Sequence, residues 1–406
     1  MLADDVLDLS DPAFVADPYP AFDRLRAAGG AVRHEGLGLY LAARHADADA
    51  VLRARRLGRI FTEREPVDAW ETFNWLHADS ILDSEPPKHT RLRSLVAKAF
   101  ARGHVERLRP RVRELAGGLL DDAVARSGSS GSGSTGTVDL IADYAEPLPV
   151  MVIAELLGIP EADRPLLRPW SQHIVKMYEY DRTPAQELQA RTAAAEFSAY
   201  VAELAADRRA RPGEDLVSHL ASVEDGGERL SERELVATCV LLLNAGHEAS
   251  VNGFGNGLAA LFRNQAQLER VVADPWGLAP TAVEEMLRYD APLQLFERTA
   301  KADIEVAGVR LRAGEKIAAL LGSANRDPEV FADATVMDVG RDPNPHLGFG
   351  AGIHFCLGAP LARVELQASL PLLLERYPGL APAGPARLRP TFVLRGYETL
   401  PVALGG

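Results

Sequence analysis

The chain of 406 residues sets 44 Lys and Arg against 57 Asp and Glu, a net charge of −13, with 47% apolar and 25% charged residues. These are the proportions of a soluble globular protein long enough for one large fold or two domains, and the acidity excludes the basic footprint of a nucleic-acid binder. No run of about 18 apolar residues is present to span a bilayer, the acidic start Met1-Leu2-Ala3-Asp4-Asp5 is unlike a secretory signal, and two cysteines, Cys239 and Cys356, exclude a disulfide framework or structural zinc cluster.

A cytoplasmic protein without membrane or nucleic-acid partners is therefore expected. Along the first 60 residues, the spacing predicts a helix over Pro20–Ala28 and short alternating pieces such as Gly38-Leu39-Tyr40-Leu41. From Pro87 to about Ala260 apolar residues recur at three and four, the helical period. Within that stretch Ser127–Thr137 is Gly/Ser-rich with no apolar residue and reads as a surface loop. Residues from Thr299 to about Ala324 carry strand and turn chemistry, with tight turns at Val306-Ala307-Gly308-Val309 and Arg312-Ala313-Gly314-Glu315. An irregular Asn325–Pro345 stretch then leads into a glycine-rich loop and a last helix. There are no repeats and no βαβ alternation, so the fold class is mainly α with a minor β region.

Four local patterns carry chemistry. His89 and Arg93 are four apart after Glu85-Pro86-Pro87, so a helix starting there aims two donors at one target, which suits a pair of carboxylates. In Leu241-Leu242-Leu243-Asn244-Ala245-Gly246-His247-Glu248-Ala249-Ser250 a long apolar helix is interrupted by Gly246 and a charge. A glycine there costs about 1 kcal/mol relative to alanine, and close approach of a ligand is a sufficient cause. Glu285 and Arg288 stand one turn apart on an otherwise apolar helix and can pair on one face, although that spacing alone equally describes a surface ion pair. The fourth pattern is Phe349-Gly350-Ala351-Gly352-Ile353-His354-Phe355-Cys356-Leu357-Gly358. Its glycines strip side chains from around the sulfur, so a large flat group can approach, and the helix that begins beyond Cys356 favours a thiolate. Such a thiolate suits an iron ligand. A dinucleotide fingerprint fails on glycine spacing, and a Cys356–His354 nucleophile pair lacks any visible oxyanion site.

On this cysteine motif, F-G-x-G-x-H-x-C-x-G, and over nearly its whole length, the chain resembles a bacterial soluble cytochrome P450 of the actinobacterial secondary-metabolite tailoring type. The resemblance implies the family's triangular, mostly helical prism as a single domain over 1–406, with β-rich parts from the N-terminus and from about 299–322. It implies haem b with Cys356 as axial thiolate and metal ligand, Phe349, Gly350 and Gly358 shaping the loop, Ala245 and Gly246 against the cofactor, and His89, Arg93, Arg298 and His354 on its propionates. Glu285 and Arg288 match the family's structural pair. The arginine often found in the following meander is Val336 here, with Arg341 nearby, which leaves the third member of that network open. The 241–250 helix matches the oxygen-binding A-G-x-E/D-T pattern at Gly246 and Glu248, but Ala249 replaces the threonine whose hydroxyl helps deliver protons. Ser250 is rotated about 100° from that position, so Glu248 and ordered water are the expected relay.

The resemblance further implies electrons from a ferredoxin and ferredoxin reductase, O2 as co-substrate, a small-molecule substrate and a monomer. Lys88, Arg91, Arg93, Lys98, Arg102, Arg107, Arg109, Arg111 and Arg113 against the lone Glu106 form a local +8, read as the ferredoxin dock. Pocket candidates are Phe73, Trp75, Leu76 and His77, then Trp170, Ile174, Met177 and Tyr178, with Leu243, His247, Leu293, Leu295 and Phe392 completing an apolar wall. A polyketide, macrolide or related metabolite is the expected substrate, with hydroxylation or epoxidation the expected outcome. Oxidative coupling, ring formation or a non-turnover haem ligand-binding protein is the alternative.

Overall fold

In the strand Lys316–Leu320 the residues Ile317, Ala318, Ala319 and Leu320 are all fully buried, as expected of a strand covered on both faces. It is the centre of a five-stranded sheet ordered 31–34, 39–42, 316–320, 295–300, 57–58 in a computed structural model that describes residues 3–97, 100, 102–127, 136–224 and 227–405. Residues 39–42 pair parallel to 316–320, with Leu41 opposite Ala318, and the neighbour on the other side is antiparallel, with Arg298 opposite Ile317. Beneath the sheet, Val51, Leu52, Leu57, Ile317, Ala319 and Leu321 share one apolar cluster with Leu347 and Ala351, so the glycine-rich loop is seated in the sheet's own core.

The β content departs from the expected range at both ends. Its strand begins at Leu295 rather than near Thr299, and Leu321–Ala324 is a helical turn. Gly322 in this turn lies directly against the Gln294 side chain, where a Cβ would overlap it. The expected turn at Val306–Val309 is a two-residue hairpin with Ala307 at φ 51° and Gly308 at φ 73°, the left-handed pair that matches strand twist. Most of the Gly/Ser stretch, 128–135, lies outside the described residues, and Thr137 belongs to the strand Thr137–Asp139 rather than to a loop.

Two compact units are present: Met1–Gly58, Leu108–Leu148 and Ala249–Gly406 form one, and Arg59–Arg107 with Pro149–Glu248 the other. The first holds the sheet and the helices Arg109–Arg126, Pro275–Tyr289 and Ala359–Arg376. Asp274 caps the second of these through the Gly277 N–H at 3.0 Å, with Pro275 at its start. Gly253 and Gly257 let the end of the helix Glu232–Arg263 come close to it, since a Cβ on Gly257 would overlap Met286 and one on Gly253 would lie 2.9 Å from Leu287. In the other unit, Thr183 and Gln186 cap the helix Pro184–Ala210 reciprocally, at 2.8 and 3.3 Å. That helix buries Ala190, Ala193, Ala194, Phe197 and Val201. Among the described residues no helix is long and apolar enough to cross a membrane.

Candidate functional site

The cysteine loop is built by its own backbone. The Gly350 N–H donates to Leu347 at 2.8 Å, the Cys356 N–H to Phe349 at 2.9 Å and the Phe355 N–H to Gly352 at 3.1 Å. Gly350 and Gly352 take φ of 70° and 71°, and a Cβ on Gly352 would lie 2.6 Å from the Leu52 carbonyl, so only glycine fits. Cys356 is exposed, and the nearest approach of a Cβ on Gly358 to its sulfur would be 3.9 Å. The following helix has Gly358 as its N-cap, so the sulfur stands just ahead of the helix N-terminus rather than within its first turn.

Three side chains that the sequence reading passed over anchor this loop. Glu284 takes a two-toothed ion pair from Arg363, both contacts at 2.7 Å, and a third contact from His346 Nε2 at 3.0 Å. Burial opposes its ionisation, but the hydrogen bonds of Arg363 and His346 prevail and hold it down at about 2. The Arg363 guanidinium also lies 4.4 Å from the Phe349 ring centre. The available signal was a second carboxylate adjoining Glu285 and an arginine two turns beyond Cys356.

Glu285 and Arg288 are 0% exposed and pair through two contacts, at 2.7 and 2.8 Å. They are a buried pair, not a surface one. Arg288 donates further to the carbonyls of Asn325 at 2.9 Å, Ala334 at 2.8 Å and Val336 at 3.1 Å. Glu285 accepts from the Asp338 N–H at 2.8 Å, Arg341 Nε at 3.1 Å and Asn344 at 3.2 Å. Arg341 is therefore the third member of the network. Val336 serves it through its carbonyl, with its side chain 53% exposed. Asn325 closes the frame by accepting from the Leu347 N–H at 2.7 Å, just before the cysteine loop.

In the same unit Arg298 is 2% exposed, donating to the Glu297 carbonyl at 3.0 Å and lying 4.5 Å from the Phe296 ring centre, and His354 is half-buried. Leu295 is buried, and Leu293 bridges to Leu394. The Phe392 ring packs against Phe14 at 5.3 Å and Phe22 at 6.4 Å. Ser250 is hydrogen-bonded to Glu365, another residue missed, whose buried carboxyl is pushed up to about 8. Its signal was a lone acid among Leu361, Val364, Leu366 and Leu370.

In the other unit, Phe73, Leu76 and His77 share the buried face of the helix Glu71–Ala78, and the Phe73 and His77 rings stack at 4.0 Å. Trp75, rotated off that face, is half-buried with Arg233 5.3 Å from its ring centre. Trp170 lies over Phe197 at 5.2 Å and donates to Glu196 at 2.8 Å; Ile174, Met177, Leu243 and His247 are buried. His89 is buried and Arg93 half-buried, one turn apart on the helix Lys88–Ala97. The cation run is largely committed: Lys88 pairs with Asp79 at 2.6 Å and Arg91 with Glu234, while within the first unit Arg111 pairs with Glu114 at 2.8 Å and Arg113 lies 4.1 Å from the Trp276 ring centre. Lys98 and the Arg102 side chain lie outside the described residues. The +8 of the sequence is thus not an open field.

On the helix Glu232–Arg263, Leu243, Asn244, His247 and Glu248 are buried, whereas Ala245 is exposed and Gly246 and Ala249 half-buried. A Cβ on Gly246 would meet nothing within 4 Å. Within one unit, the exposed thiol of Cys356 and the buried guanidinium of Arg298 fit a flat, anionic, thiolate-ligated group.

Comparison with known proteins bears directly on this. The family model for Cytochrome P450 matches residues 278–386. Cytochrome P450 monooxygenase PikC of Streptomyces venezuelae is 40% identical over 98% of this chain and 94% of its own length. This chain belongs to the cytochrome P450 family. Nocardicin C N-oxygenase of Nocardia uniformis is 41% identical over 95% of both chains. The crystal structure of P450BioI in complex with hexadec-9Z-enoic acid ligated acyl carrier protein superposes with a TM-score of 0.90 at 34% identity, over 97% of this chain and 100% of that one. The fold is therefore the P450 fold, the family's cofactor is haem b bound through a thiolate, and the enzyme is a cytochrome P450 monooxygenase.

Proposed function

We propose that this P450 inserts one oxygen atom from O2 into a lipophilic secondary metabolite of polyketide or macrolide type, by hydroxylation or epoxidation. Electrons come from a ferredoxin and its ferredoxin reductase, and the chain acts as a cytoplasmic monomer of one domain over 1–406. The observation that carries the reading is Cys356, an exposed thiol at the tip of a loop with glycine on both sides. When bound, haem supplies the iron at which O2 is reduced.

The chain's own residues do the rest. Cys356 ligates, while Phe349, Gly350 and Gly358 keep the sulfur's surroundings flat. His89, Arg93, Arg298 and His354 are the donors for the propionates, and Ala245 and Gly246 leave room beside the ring. With Ala249 offering no hydroxyl, Glu248 is a relay residue and a proton is held on the Glu365 carboxyl. Burial keeps the latter protonated at neutral pH, hydrogen-bonded to Ser250. Phe73, Leu76, His77, Ile174, Met177, Leu243, His247, Leu293 and Leu295 supply apolar surface for substrate, with Trp75, Trp170, Tyr178 and Phe392 at its margins. The ferredoxin docks at 88–113.

The test is the reduced, carbon-monoxide-treated protein. The red-displaced Soret band of thiolate ligation is expected, together with its loss in Cys356→Ser, and a purified protein without the band sinks the assignment. Alanine at 249 also supports a second reading, oxidative coupling or ring formation. Product mass separates the two, since insertion adds an oxygen atom and coupling removes two hydrogens.

A further inference from the structure

Three arginines far apart in sequence converge within the unit of 59–107 and 149–248. The Arg64 guanidinium lies 5.2 Å from the Trp70 ring centre and 5.4 Å from that of Phe73, and Arg191 approaches Trp70 at 5.8 Å. Arg64 and Arg182 each donate to the same carbonyl, that of Met177, at 3.4 Å, and Arg182 donates also to the Glu179 carbonyl. Two guanidiniums on one oxygen are close neighbours, and like charges at such range repel. Burial first, and then the field of Arg182, lower the pKa of Arg64, with Glu187 the acid that opposes them. Among the described residues no carboxylate forms an ion pair with Arg64, Arg182 or Arg191, and the Nε atoms of Arg182 and Arg191 are buried without an acceptor. Donors are gathered here in excess of the acceptors the chain provides.

Beside them lie stacked aromatic rings. The Phe73 ring stacks on His77, and His77 on Phe61 at 5.3 Å. Burial lowers the pKa of His77, so this ring is neutral at pH 7. Guanidinium forks at one end and stacked rings along the other select a molecule with an anionic head and a lipophilic body.

We propose that the substrate of this P450 carries a carboxylate, held by Arg64 and Arg182 with Arg191 adding to the field, and that its lipophilic body lies along Phe73 and His77. For turnover this rests on the monooxygenase reading; for binding it stands alone.

The experiment is calorimetric titration of the purified holoprotein with octanoate, dodecanoate and hexadecanoate and with their methyl esters, beside haem difference spectra. At least one acid is expected to bind one-to-one about tenfold more tightly than its ester, an advantage that shrinks as ionic strength rises. Arg64→Gln and Arg182→Gln should each weaken the acid about five- to twentyfold and leave the ester within about twofold, with Arg64→Lys recovering part of the loss because it restores charge without the fork. Equal affinity for acid and ester, an acid preference that survives in the Arg64→Gln/Arg182→Gln double variant, or no acid binding across the three lengths overturns the proposal. Failure of the haem reading shows separately, as a missing thiolate band in a protein that still prefers the acid by calorimetry.

Discussion

Residues 284–376 and the Arg64 cluster treat buried charge in opposite ways. Around the cysteine loop, Arg288, Arg341 and Arg363 each meet a carboxylate, Glu285 or Glu284, and the remaining lone pairs take backbone N–H groups and an amide. Around Trp70, three guanidiniums gather with carbonyls and rings for company. The matched region holds an irregular chain in one arrangement, because the carbonyls of Asn325, Ala334 and Val336, to which Arg288 donates, are fixed in place. The unmatched region stores a demand for negative charge. On the proposal above, charge that positions the protein is satisfied from within, and charge that recognises a ligand is left in surplus.

The largest test of that contrast is Glu285→Ala. It leaves Arg288 buried without its partner, and a loss of about 3–5 kcal/mol in chemical denaturation is expected. Arg182→Gln, which relieves repulsion, should leave the denaturation midpoint unchanged or raised. Equal destabilisation by both variants would erase the distinction between the two regions.

A second test uses pH, since Glu284 and Glu365 are buried acids of opposite circumstance. Glu284 lies below its ordinary value of 4.5, at about 2, so the stability it adds is full above 4.5 and is lost as pH falls from there toward 2. Among the described residues no cation pairs with Glu365. The unfolded chain releases that proton near 4.5 while the folded one keeps it to about 8, so its contribution falls as pH rises between those values. Denaturation midpoints across pH should show Glu284→Gln flattening the acid limb and Glu365→Gln flattening the decline toward pH 8.

The smallest expected effect is that of Val336→Ala. The network uses the carbonyl of this residue and not its exposed side chain, so its stability should stay within about 0.5 kcal/mol of the parent. A larger loss would show that the side chain, rather than the backbone, holds the meander.

Much of the cysteine loop was legible in the sequence because glycine acts locally. Gly350 and Gly352 take left-handed backbone, and the exposure of Cys356 follows from what those residues lack. The Glu285–Arg288 spacing was legible too, but its burial was not, since one helical turn has the same length on a surface and in a core. Arg341 could not be chosen from spacing, because it reaches Glu285 across 56 positions. Glu284 meets Arg363 across 79. The 88–113 run misled in the other direction: a count of charges along a chain omits the acids, such as Asp79 and Glu234, that folding brings to them.

By itself the sequence determined the family, the thiol and the helical plan, each written in short motifs whose geometry depends on neighbours a few residues away. Only the tertiary structure decided which charges are paired, which carboxyl keeps its proton and where guanidiniums gather without an ion pair among the described residues. Desolvation and Coulomb energy depend on distance through space, and a linear chain does not record that distance.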